Sequence, residues 1–146
     1  MSKPASKIRQ SLSVALSSRA EVNNPVSAMA PPVREALAVL GYFYLRNGRA
    51  GQAVTIFAAL DALFPDDRRT VTSLALALVR AGKAERALHV IERLAVLGFV
   101  DSAFHLLRAQ ALSALNRSGE STAAMRAYLT QRSTSPRAPT ALAAAI

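Results

Sequence analysis

The side chains in this chain that could do chemistry are few. There are two histidines, His89 and His105, no cysteine, and one pair of adjacent carboxylates, Asp66 and Asp67. Neither histidine has a ligand-spaced partner, and the sequence has no glycine-rich phosphate loop and no zinc-protease pair of histidines. Asp66 and Asp67 could in principle act as an acid pair or a metal site. Directly before a helical pattern, however, their oxygens serve better as N-cap acceptors for orphan backbone N–H groups. His105 falls in a slot that suits a large packing side chain. This inventory predicts a protein that is not an enzyme and needs neither metal nor cofactor.

The elements that carry these residues are written as a repeat. Tyr44, Leu78 and Leu112 stand at one fixed spacing, as do Ala53, Ala87 and Ser121, and then Phe57, Ile91 and Met125. Small and large apolar residues in matching slots, at a period of about 34 residues, form the tetratricopeptide pattern. Leu37, Leu40, Gly41 and Tyr44 recur as one face of an amphipathic helix opening near Pro32. Asn47-Gly48 ends that helix, and a second carries Ala53, Ile56, Phe57 and Leu60 up to Pro65. The third, capped by Asp66 and Asp67, points Val71, Leu74, Ala75 and Leu78 inward, and Gly82 turns into a fourth carrying Ala87, Ile91 and Leu94. Asp101 caps a fifth with His105, Arg108, Ala109 and Leu112 inward. Asn116 replaces the turn glycine, because Asn also enters the left-handed region readily. The sixth carries Ser121, Met125 and Tyr128.

The expected fold is therefore all-α: three tandem tetratricopeptide hairpins in a short right-handed solenoid, spanning 33–67, 68–101 and 102–131. A flexible basic arm rich in Ser, Pro and Ala (1–32) and a flexible tail (132–146) flank it. One hairpin cannot bury its apolar face alone, so the hairpins must stack. A dedicated polar capping helix is not obvious after Tyr128, so apolar edges are left that a partner, a second copy of the chain when alone, or the N-terminal arm could cover.

The chain has 146 residues and a formal charge of +9, spread over arm, repeats and tail. Aromatics interleaved with basic residues, as on a single-strand platform, are missing, which argues against nucleic acid as a partner. The strongest apolar stretch, 36–45, is far shorter than the ~18 residues a membrane span needs.

In such a stack the first helix of each hairpin lines the concave side. The slots left free by the core stripe carry Tyr42, Leu45 and Arg46, then Leu76, Val79 and Arg80, then Leu106 and Gln110. Together they predict an apolar groove flanked by Arg46 and Arg80, suited to an amphipathic segment of a protein partner. Thr72 and Leu76 stand where a carboxylate clamp would need polar groups, so that mode is not expected.

Three stretches also carry a narrower likeness: Leu-Gly-Tyr-Phe-Tyr-Leu (40–45), Ala-Leu-Asp-Ala-Leu-Phe-Pro (59–65) and Arg-Ala-Gln-Ala-Leu-Ser-Ala-Leu-Asn (108–116). In this order they resemble the YscY family of small bacterial type III secretion chaperones. The arm 1–32 lies outside that likeness. The resemblance implies a cytoplasmic protein, recruited to the inner-membrane secretion apparatus, that holds a small YscX-like secreted partner and engages the cytosolic domain of the export gate. A needle-subunit or translocator chaperone, or a scaffold outside secretion, is the alternative.

Overall fold

The computed structural model describes residues 31–135. Of the arm expected at 1–32, residues 1–30 lie outside the described residues, as does the end of the tail, 136–146, while Pro31 and Pro32 belong to the first helix. Within them the protein is all-helical, with six helices and no strand. These are α1 (Pro31–Arg46), α2 (Ala50–Leu63), α3 (Arg68–Arg80), α4 (Ala84–Val96), α5 (Ser102–Ala114) and α6 (Ser118–Thr134). The last helix passes the expected boundary at 131 and ends at Thr134.

Connections are short, and the sequence period reappears in their backbone geometry. Gly48, Gly82 and Asn116 all take positive φ, at 71°, 72° and 60°. At the next position, the N–H groups of Arg49, Lys83 and Arg117 donate to the carbonyls of Tyr44, Leu78 and Leu112 at 2.9, 2.9 and 3.0 Å. Each of these bonds closes the end of α1, α3 or α5 in a Schellman motif. The outer turns agree less well. After α4, Gly98 is left-handed and the Phe99 N–H donates to Leu94. After α2 the position equivalent to Phe99 is Pro65, which has no N–H. There the left-handed residue is Asp66, at φ 65°.

Asp66 is thus part of the turn, and Asp67 alone is the N-cap of α3, accepting from the Thr70 N–H and hydroxyl at 2.9 and 2.7 Å. One repeat later, Asp101 caps α5 by accepting from the Phe104 N–H at 2.9 Å, and it also pairs with Arg68. Burial pushes the Asp101 carboxyl up, but the Phe104 N–H and the Arg68 guanidinium outweigh it and hold the group below the usual carboxylate range. A lowered folded pKa stabilises above the unfolded value, about 4, and that contribution is lost as pH falls through the folded value. Asp101→Ala is expected to cost about 1 kcal/mol at pH 7, chiefly through the lost cap, since the half-exposed ion pair adds little. Urea titrations should show the gap between wild type and variant constant from about pH 7 to 5 and shrinking below about pH 4. A gap that stays constant to about pH 3 would show that the charged carboxylate is not the cap.

From α2 onward the helices pack in chain order, with α3 also against α5. Gly41 sits directly on Phe57, where an added Cβ would lie 2.7 Å from the ring, so α1 and α2 can approach closely. The Ser121 hydroxyl donates to the Ala109 carbonyl at 2.9 Å and draws α6 onto α5 in the same way. One core runs from Leu45 through Phe57, Leu60, Val71, Leu78, Ile91 and Leu94 to Phe104 and Ala111. A smaller cluster of Ala109, Leu112 and Ala124 lies under α6.

Two core expectations change. The buried face of α1 is centred on Gly41 and Leu45, while Leu37 and Tyr44 are half-buried and Leu40 is exposed. Gly41 and Leu45 stand at i and i+4 and share one stripe, so the close approach at Gly41 carries Leu45 inward with it. At the other end Arg108 and Met125 are exposed, and α6 buries only Ala124. No described helix follows α6 to cover Met125.

Candidate functional site

The first helices of successive hairpins meet along one flank. The Tyr42 hydroxyl and the Ser73 hydroxyl lie 2.5 Å apart, linking α1 to α3. The Tyr42 ring stands edge-on to Phe57 at 5.2 Å. Arg68 on α3 reaches Asp101 at the start of α5. On the opposite layer, Arg93 of α4 bonds Asp61 of α2. That hydrogen bond holds the Arg93 proton more tightly than usual, against the effect of burial.

Of the eight residues expected to face a partner, Leu45 does not: it is 6% exposed and belongs to the core. Leu76 and Val79 are half-buried and pack against the same core, so most of their surface goes into contacts between helices. Leu106 is also half-buried, on a flank that no described helix follows. Tyr42 keeps nearly half its surface open, although its hydroxyl is taken by Ser73. Arg46, Arg80 and Gln110 are exposed, and the ion pairs among the described residues involve neither arginine. The expected groove therefore narrows to a partly apolar flank. It is formed by the Tyr42 ring and the outer edges of Leu76, Val79 and Leu106, with two guanidinium groups beside it.

Sequence reasoning missed Val39 and Phe43. Both lie on α1 with most of their surface open. The signal was available: in the repeat register they align with Ser73 and Ala77, small residues at buried positions. A column that is small in one repeat and large in another marks a change in what covers it.

The histidines stay apart. His105 is half-buried with its ring edge-on to Phe104 at 5.1 Å, consistent with a packing slot. His89 is exposed on α4, where it lines a shallow depression with Glu85, Glu92, Leu88, Leu115 and Arg117. Among the described residues no three His, Asp or Glu side chains converge on a metal-sized site. No described helix is long and apolar enough to cross a membrane. In comparisons with known proteins, no family model and no curated protein matches the chain.

Proposed function

We propose that this protein is a tetratricopeptide-type solenoid of three hairpins that acts as a protein-binding chaperone. Its partner is a small secreted protein of the YscX kind, held for a bacterial type III secretion apparatus in the cytoplasm beside the inner membrane, where the pair engages the export gate. The solenoid reading rests on two features that recur once per repeat, the left-handed turn residue and the closing Schellman bond, and on an aspartate cap shared by the second and third hairpins. The secretion reading rests on the likeness of 40–45, 59–65 and 108–116 to the YscY family.

The observation that carries a binding role is the flank of α1, α3 and α5. An open Tyr ring and partly covered aliphatic side chains stand beside Arg46 and Arg80, which have no ion-pair partner among the described residues. Tyr and Arg supply binding energy where a partner excludes water. A partner helix laid along this flank would put its apolar face on Tyr42, Val79 and Leu106 and its carboxylates on the two arginines.

Co-expression with a small YscX-like protein encoded beside this one tests the proposal. Wild type is expected to co-purify with it in a fixed ratio. The double variant Arg46→Glu, Arg80→Glu should weaken the complex at least tenfold with an unchanged thermal melt, because both side chains are exposed. Undiminished binding by the double variant would exclude this flank, and failure to bind any such protein would exclude the secretion role.

A further inference from the structure

The repeat register also shows what each face of a helix meets. On α3, Ser73 and Ala77 are 4% and 0% exposed, because the preceding hairpin covers them. On α5, Leu107 and Ala111 fill the same two positions at 5% and 0%. On α1 the positions belong to Val39 and Phe43, 62% and 58% exposed. This side of α1 is thus the surface on which a preceding hairpin would sit, and it carries large apolar residues. At the other end of the stack the relation is reversed. The second helices α2 and α4 each pack against the first helix of the following hairpin. Phe57, which also meets Gly41 and Tyr42 of its own hairpin, and Ile91 are each 1% exposed, whereas Met125, in the same register position, is 37% exposed, with Leu129 beside it at 57%.

Among the described residues, then, one apolar surface has no hairpin before it and another has none after it. We infer that these two ends bind each other between copies, so that the protein self-associates head to tail by continuing its own hairpin–hairpin interface. A second copy is the occupant that offers α1 the kind of surface α2 offers α3, and it covers both exposed faces with one contact. The bulk of Val39 and Phe43, against Ser73 and Ala77 in the internal interface, fits the end at α6, which is less filled: α6 buries Ala124 alone. A contact of this kind is heterologous, so it propagates rather than stopping at two copies unless the rotation closes a ring. Arg46 near one end and Arg126 near the other are both exposed and of like charge. Self-association should strengthen as salt screens them, with the screening length falling from about 10 Å at 0.1 M to about 3 Å at 1 M. This inference stands independently of the secretion reading, since it uses only the register and the exposures.

The test is the mass of the full-length chain by light scattering and sedimentation from about 5 to 500 µM, a range set to bracket the micromolar affinities of modest interfaces. Wild type should rise from the 15.5 kDa monomer through successive multiples, further at high salt. Phe43→Glu and Leu129→Glu lie at opposite ends and are exposed, so each should fold as wild type and each should be monomeric. Mixed together they should form a 1:1 dimer that stops there, because each retains the end the other has lost. Val39→Glu serves as a second block of the first end. A wild type that stays monomeric throughout would overturn the inference, including the case where another segment or a partner covers these faces. So would self-association abolished by Phe43→Glu but untouched by Leu129→Glu, which is the mark of a two-fold contact, and so would a mixture that remains monomeric.

Discussion

Phe57→Ala is expected to lose about 3–5 kcal/mol of folding stability, the largest effect of any single truncation here. The ring is 1% exposed, in edge contact with Tyr42, and lies where Gly41 offers no side chain of its own. Removing it leaves a cavity against Gly41, which has no side chain to fill it. A domain of this size has about 5–15 kcal/mol in total, so the variant should remain folded only marginally. Its melting temperature should fall by roughly 12–40 °C, at about 4–8 °C per kcal/mol. The informative control is the same substitution in the same register position. Ile91→Ala should cost about 2–5 kcal/mol, whereas Met125→Ala should cost well under ~1 kcal/mol, as expected away from the core. Urea denaturation of the three variants measures the series. Equal losses at all three positions would mean that α6 is covered as fully as α2 and α4.

Leu45→Asp is expected to abolish folding, whereas Phe43→Asp, on the same helix and close by in sequence, should leave stability within about ±0.5 kcal/mol. Leu45 is 6% exposed and Phe43 58%. An aspartate at 45 loses the burial of a leucine and places a charge in the core with no partner. The first effect alone is about 2–5 kcal/mol, and the unpaired buried charge adds several more. Together they match or exceed the whole stability of the domain. Circular dichroism and one-dimensional proton spectra of the two variants would decide the matter. A folded Leu45→Asp would restore Leu45 to the binding face that its spacing suggests. For this reason a loss of partner binding by Leu45→Asp says nothing about a groove, while the arginine variants do.

Leu45 also shows where the sequence was hard to read. A helical stripe read from Leu37, Leu40, Gly41 and Tyr44 is centred roughly 70° away from the stripe through Gly41 and Leu45, with Gly41 common to both. Nearly every residue from Leu37 to Leu45 is apolar, so hydrophobic periodicity could not choose between the two. The choice came from a contact distant in sequence, Gly41 against Phe57. Met125 departs from expectation for a different reason. Register placed it in an inward slot, but a slot is buried only when a neighbouring hairpin covers it. At the end of the described stack there is none.

What the sequence determined by itself was local. Glycine and asparagine at 48, 82 and 116 specify left-handed turns, aspartates at 67 and 101 specify caps, and small residues at 41, 53, 75, 87 and 109 specify close approach. These features follow from backbone sterics and from hydrogen bonding over a few residues, so the helices and their period could be read from one chain. The tertiary structure alone decided which apolar residues are spent. Tyr42, Leu76 and Val79 are drawn wholly or partly into contacts between hairpins, Leu45 is withdrawn into the core, and Val39, Phe43 and Leu129 are left open. Burial is a property of two surfaces, and the second surface comes from another hairpin, a full repeat away along the chain, which no local pattern contains.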